Sequence, residues 1–220
     1  MTKLEIAKKI VEIGIVPVIR AKSSRLASQA VEAVCAGGIP VVEITMTVPG
    51  AIELILALTK QMGNEVLVGA GTVLDAEMAS RCLDAGAEFL VSPGLDLATV
   101  ALANRQGKLM MAGALTPTEV IHAWKAGSDL VKIFPCGTAG GARYLKALKG
   151  PLPQIRMVPT GGVRLNTVFE LIAAGAEALG VGGELVSDSS LQSGNFSEIS
   201  NNAKQYVAAV RDARQQACAR

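Results

Sequence analysis

The 220-residue sequence predicts an α/β fold in which eight parallel strands alternate with helices and close into a single (βα)8 barrel. Three observations lead there. Strand-length apolar runs recur eight times, amphipathic stretches of about ten residues separate them, and an Ala-Gly signature returns at every second strand-helix unit. The composition agrees: 50% of residues are hydrophobic and only 3% aromatic, so the core must be built from Ala, Val, Ile, Leu and Gly, as in strands covered by helices on both faces. The length suits one domain over 1–220, and no linker divides it.

A helix over 2–13 comes first, opened by the capping-box pair Thr2 and Glu5, and it is expected to close the N-terminal end of the barrel. The strand runs follow at 16–20 (VPVIR), 41–47 (VVEITMT), 66–72 (VLVGAGT), 89–93 (FLVSP), 109–114 (LMMAGA), 130–135 (LVKIFP), 155–160 (IRMVPT) and 178–182 (ALGVG). Between them, stretches such as 26–35, 52–61 and 168–174 carry apolar residues at helical spacing. The segments 36–43, 85–92, 126–133 and 174–181 each begin Ala-Gly and run straight into a strand, because glycine accepts the left-handed conformation that ends a helix. Thr116-Pro117-Thr118-Glu119 combines an N-cap, a first-turn proline and a capping-box glutamate. The Ser-, Asp-, Asn- and Gly-rich segment 187–201 reads as a loop leading to a last helix over about 200–217, with Val207, Val210 and Ala217 near one stripe that packs on the barrel in preference to a neighbouring subunit. The prediction is therefore a TIM barrel with an extra N-terminal helix and a C-terminal helix.

A formal charge of +2 without a Lys/Arg block offers neither a nucleic-acid footprint nor a polybasic membrane patch. The N-terminus lacks a signal-peptide core and no stretch resembles an uncharged membrane span, so the cytoplasm is the expected location. Cys35, Cys82, Cys136 and Cys218 form no CxxC pair and read as reduced structural thiols. His122, the only histidine, reads as an ordinary helix residue. No His-based metal cluster and no Ser-His or Cys-His pair can be assembled from it. The segment 69–74 (GAGTVL) lacks the third glycine of a dinucleotide fingerprint.

In such a barrel, reactive groups project from the C-terminal ends of strands. Those positions hold Arg20, Glu43 with Thr47, Gly71-Thr72, Ser92-Pro93, Lys132, Thr160-Gly161-Gly162 and Gly182-Gly183. Lys132 lies inside a run expected to be buried on both faces. Burial and a nearby cation such as Arg20 would both favour the neutral amine, which can attack a ketone. The alternative is a structural lysine paired with Glu43 or snorkelling to the rim. Glu43, an acid within VVEI, is the best candidate for a general acid/base, or else a structural partner to a cation. The glycine pairs after strands seven and eight sit where barrels commonly bind phosphate.

Taken together, VPVIR with Arg20, VEIT with Glu43, GAGTV with Thr72, SPG with Pro93, KIFP with Lys132 and PTGG with Thr160, Gly161 and Gly162 resemble the 2-dehydro-3-deoxy-phosphogluconate (KDPG) aldolase family, which includes 4-hydroxy-2-oxoglutarate aldolases. The likeness runs from about Ile15 to Val186. It implies a class I aldolase in which Lys132 forms a pyruvate-derived Schiff base and Glu43 moves protons. Arg20, Thr72 and Thr160 would hold the pyruvyl end or shape its pocket, with Pro93 and Phe134 lining it. Gly161, Gly162, Gly182 and Gly183 would receive the phosphate of the aldehyde half. The resemblance also implies a homotrimer that needs no metal or other cofactor. Two departures bear on the aldehyde: many members carry arginine where Thr47 stands and serine where Gly183 stands. A galactonate-derived isomer or 4-hydroxy-2-oxoglutarate remains an alternative substrate, and a phosphosugar isomerase, epimerase or scaffold barrel a more distant reading.

Overall fold

A computed structural model describes residues 1–218, and strand and helix alternate along them as expected. The helix α1 (Lys3–Ile13) precedes β1 (Ile15–Ile19), α2 (Ser24–Ala36), β2 (Val41–Thr45), α3 (Ala51–Met62), β3 (Leu67–Gly71), α4 (Ala76–Asp84), β4 (Phe89–Val91) and α5 (Leu97–Arg105). The second half runs β5 (Leu109–Ala114), α6 (Pro117–Lys125), β6 (Leu130–Ile133), α7 (Ala142–Lys149), β7 (Met157–Pro159), a 3-10 turn at Leu165–Thr167, α8 (Val168–Ala173), β8 (Leu179–Val181), α9 (Asp188–Ser193) and α10 (Phe196–Cys218). The side chain of Cys218, with its expected structural thiol, lies outside the described residues.

All eight strands are parallel, in the order β7-β6-β5-β4-β3-β2-β1-β8. Two isolated parallel bridges, Met157 to Ala176 and Thr160 to Gly180, join β7 to β8 and complete the ring. The architecture is thus a TIM barrel with added helices at both ends. Its strands show no alternation of wet and dry faces because both faces are covered. Outward residues such as Ile44, Val68, Leu90, Val131 and Leu179 pack under the helices. Inward residues Val16, Val41, Leu67, Phe89, Leu109, Leu130 and Ala178 form a separate cluster with Ile6, Ala7 and Ile10 of α1, so the first helix does close the N-terminal end.

The Ala-Gly helix stops appear as read, with Gly38, Gly86, Gly127 and Gly175 at φ between 94° and 97°. The capping boxes at Thr2/Glu5 and Thr116/Glu119 are both present. His122 is an exposed residue of α6. Cys35, Cys82 and Cys136 are free thiols, each pushed up to about 11 chiefly by burial. Among the described residues no helix is long and apolar enough to cross a membrane.

Three expectations are corrected. First, 187–201 is not a loop. Ser187 accepts the Ser190 amide at 3.1 Å to start α9, and Asn195 accepts the Glu198 amide at 3.3 Å as α10 begins. Its polar residues are helix caps, which composition alone does not separate from loop residues. Second, the buried stripe of α10 is Ile199, Ala203, Tyr206, Val210 and Ala213, packed against α8 and α2; Val207 is half-buried and Ala217 exposed. Third, β2 ends at Thr45 instead of reaching Thr47. The chain turns where Val48 donates to the Thr45 carbonyl at 3.0 Å, just ahead of Pro49.

Tyr206 ties the last helix to the C-terminal end of the barrel by donating from its buried hydroxyl to the Val163 carbonyl at 3.2 Å. Burial pushes this phenol up to about 12 from 10.0, so the fold favours its neutral form. Tyr206→Phe should cost about 1 kcal/mol near neutral pH. Because the raised value makes the unfolded chain ionise first, the wild type's advantage should shrink as pH rises through 10 toward about 12. Denaturant unfolding of both proteins across that range checks the sign.

Candidate active site

Side chains on a strand alternate between faces, so a residue two positions beyond an inward one points into the same space, one layer higher. Lys132 stands two beyond Leu130, Glu43 two beyond Val41, Thr160 two beyond Val158 and Gly180 two beyond Ala178, and each of those lower residues belongs to the dry inner cluster. The first polar layer therefore rests on an apolar floor. Lys132 Nζ lies 3.8 Å from Glu43 Oε1, and their side chains are only 4% and 2% exposed. That separation is an ion pair beyond hydrogen-bond reach, and Glu43 Oε1 has no hydrogen-bond partner. The amine also sits 5.3 Å from the centroid of the Phe134 ring.

Room for these groups is made by glycines on the inward faces. A Cβ at Gly71 would overlap the Glu43 carboxylate, one at Gly69 the Phe89 ring, one at Gly113 the Pro93 backbone and one at Gly180 the Thr160 hydroxyl. Gly113 is also the register partner of Lys132 on β5. Sequence alone leaves this device unread: there Gly71 marks a strand end and GAGTV serves as a motif, not as cleared space. The available signal was the spacing of two between Gly69 and Gly71, which on a strand clears one face.

Beside the pair, at the seam between β7 and β8, opens a cavity of about 390 Å³ whose walls include Val18, Arg20, Phe134, Thr160, Gly161, Gly162, Gly182 and Gly183. Seven of the twelve sequence-selected residues thus share one concavity. Gly161 and Gly162 are consecutive positive-φ residues at 85° and 75°, and without a Cβ they leave an anion room to approach the backbone amides. Arg20 follows the end of β1 and is exposed, and the charged group facing Lys132 is the Glu43 carboxylate. Glu184, which the sequence reading missed, also lines this cavity. It was hidden because only the glycines of its loop were weighed.

The remaining selected residues lie elsewhere. Thr72 follows β3 half-buried, and at φ 59° it is the non-glycine residue with positive φ among those described. For a β-branched side chain that is strain, of a kind that concentrates at working sites. Pro93 is half-buried above Gly113. Thr47 is exposed, hydrogen-bonds to the Thr45 hydroxyl at 2.7 Å, and borders a separate depression with Met46, Met78 and Arg81. Among the described residues no three His, Cys, Asp or Glu side chains are grouped to hold a metal ion.

Comparison with known proteins adds an independent line. A family model for KDPG and KHG aldolase matches residues 6–202. The chain is 33% identical over 208 residues to a 2-dehydro-3-deoxy-phosphogluconate aldolase of Treponema pallidum (strain Nichols), an alignment covering 94% of this chain and 98% of that protein. KDPG aldolase from Legionella pneumophila, crystallised with pyruvate captured at low pH as a covalent carbinolamine intermediate, superposes with a TM-score of 0.83 at 29% identity over 90% of this chain and 96% of that one. A cube-shaped, highly porous cage designed by fusing symmetric oligomeric domains superposes with a TM-score of 0.84 at 31% identity, over 92% of this chain and 74% of that one.

A buried ion pair gains little over an apolar pair, but removing one partner strands the other charge. Lys132→Met or Glu43→Gln alone should therefore destabilise the fold, by roughly 3–5 kcal/mol for the lysine change. The double variant should recover most of that loss, as read by thermal unfolding. Thr72→Gly, which removes strain of order 1–3 kcal/mol, should leave the melting temperature unchanged or higher.

Proposed function

The chain belongs to the KDPG and KHG aldolase family, and from that premise we propose that it is a class I aldolase cleaving 2-dehydro-3-deoxy-6-phosphogluconate to pyruvate and glyceraldehyde 3-phosphate through a Schiff base on Lys132. The observation that carries the reading is the dry pairing of Lys132 with Glu43 at 3.8 Å, an amine and a proton carrier held above an apolar floor. The pyruvate carbinolamine in the Legionella relative supports the same chemistry.

In this mechanism Glu43 first takes a proton from Lys132, and the neutral Nζ then adds to C2 of the keto acid. Glu43 delivers the proton with which the C2 oxygen leaves as water, and the iminium that remains acts as an electron sink. Glu43 then accepts the C4 hydroxyl proton, the C3–C4 bond breaks, its electron pair moves into the enamine, and glyceraldehyde 3-phosphate departs. Protonation at C3 and hydrolysis return pyruvate and the free amine. Arg20, Thr72 and Thr160 hold or shape the pyruvyl end and Pro93 and Phe134 line it, whereas Thr47, facing a separate depression, takes no part. Gly161, Gly162, Gly182 and Gly183 take the phosphate of the aldehyde half. The reaction needs no metal or other cofactor, because the protonated imine supplies the electrophile. We take residues 1–220 as one catalytic domain working in the cytoplasm as a homotrimer; the symmetric oligomeric domains of the designed cage support oligomerisation.

Borohydride added with pyruvate should leave a stable adduct on the peptide containing Lys132, and Lys132→Ala should abolish it. Glu43→Gln should retain some trapping but lower kcat by roughly 10²- to 10⁴-fold. Absence of an adduct, under conditions that label another class I aldolase, would remove the Schiff base from the mechanism.

A further inference from the structure

The ionisable side chains in the cavity wall are Arg20 and Glu184. Arg20 suits an anionic substrate, but a carboxylate beside a glycine-built phosphate cradle does not. Arg164 meets Glu184 with Nε at 3.1 Å from Oε1, yet the two side chains are 65% and 50% exposed, and an ion pair this open is worth little. The Glu184 charge is therefore only partly offset where the distal end of the substrate would lie. Ionised, a carboxylate only accepts hydrogen bonds, so its natural partner is a hydroxyl. A phosphate dianion has no proton to give it and is repelled. The neighbouring Gly183 has no side chain that could compensate with a donor.

Resting on the aldolase reading above, we infer that Glu184 determines specificity for the aldehyde half: it weakens binding of a phosphorylated end and favours a free hydroxyl. Arg164 is a positioning residue that acts through Glu184 by damping its charge.

The test measures kcat/KM for condensation of pyruvate with glyceraldehyde 3-phosphate and with glyceraldehyde. Glu184→Gln should raise the phosphorylated-to-free ratio about tenfold, the scale of one partly solvated charge removed beside a dianion, and the gain should appear in KM for the phosphorylated aldehyde. Arg164→Ala should lower the ratio in the wild-type background and leave it unchanged in the Glu184→Gln background. A ratio that stays the same or falls in Glu184→Gln overturns the inference. So does an equal loss from Arg164→Ala in both backgrounds, which would make Arg164 a direct phosphate ligand. Trapping of pyruvate alone on the wild-type protein uses no aldehyde, so its failure would defeat the Schiff-base reading itself, whereas successful trapping with an unmoved ratio would defeat only the role of Glu184.

Discussion

The approach of Lys132 to Glu43 is the interaction on which the rest of the structure turns. At 3.8 Å, nearly unexposed and without a hydrogen bond between them, the two charges gain little from each other beyond what they lose by leaving water. Packed apolar residues would serve the fold as well. The placement makes sense as chemistry: a keto acid entering this space finds an amine, a proton carrier and no competing solvent.

Sustaining that pair is the task of the barrel. The inner cluster capped by α1 keeps water out from below, so the amine can be approached only from the C-terminal end. Above it the interior changes from branched side chains to glycines. Gly71 and Gly180 give up their own side chains to the Glu43 carboxylate and the Thr160 hydroxyl, and Gly113 gives its space to the Pro93 backbone. A barrel of this diameter is normally filled by side chains. Placing functional groups inside it therefore requires neighbouring strands to contribute nothing at the same level.

Much of this was legible before any coordinates. Eight buried runs and four Ala-Gly stops identify the architecture, and the lysine inside LVKI marks the buried charge found beside Glu43, because a parallel barrel writes a strong period and leaves few places for a charge. Three things were not legible, each for a physical reason. The polar residues of 187–201 have the same composition whether they cap helices or form loops, and only the amides they accept distinguish the cases. Thr47 was carried onto the strand by apolar continuity, whereas the backbone turns ahead of Pro49 and directs it to a different depression. Glu184 follows two glycines in an exposed loop, and nothing in its local sequence says which wall of the cavity it completes.

That last contrast separates the two halves of the site. In the proposed assignment the pyruvyl half is built from inward strand positions, where the two-residue period and the register between strands fix each side chain relative to its neighbours. Changing any one of those groups disturbs the packing below it. The aldehyde half is built where β7 and β8 meet through isolated bridges alone, from loops whose charged residues stand in solvent. Substitution there costs the fold little, since surface residues away from caps and cores rarely shift stability by more than about 0.5 kcal/mol. On that assignment the chemistry of bond cleavage is thus tied to the architecture, whereas the choice of aldehyde would rest on residues such as Glu184 that the architecture leaves free to change.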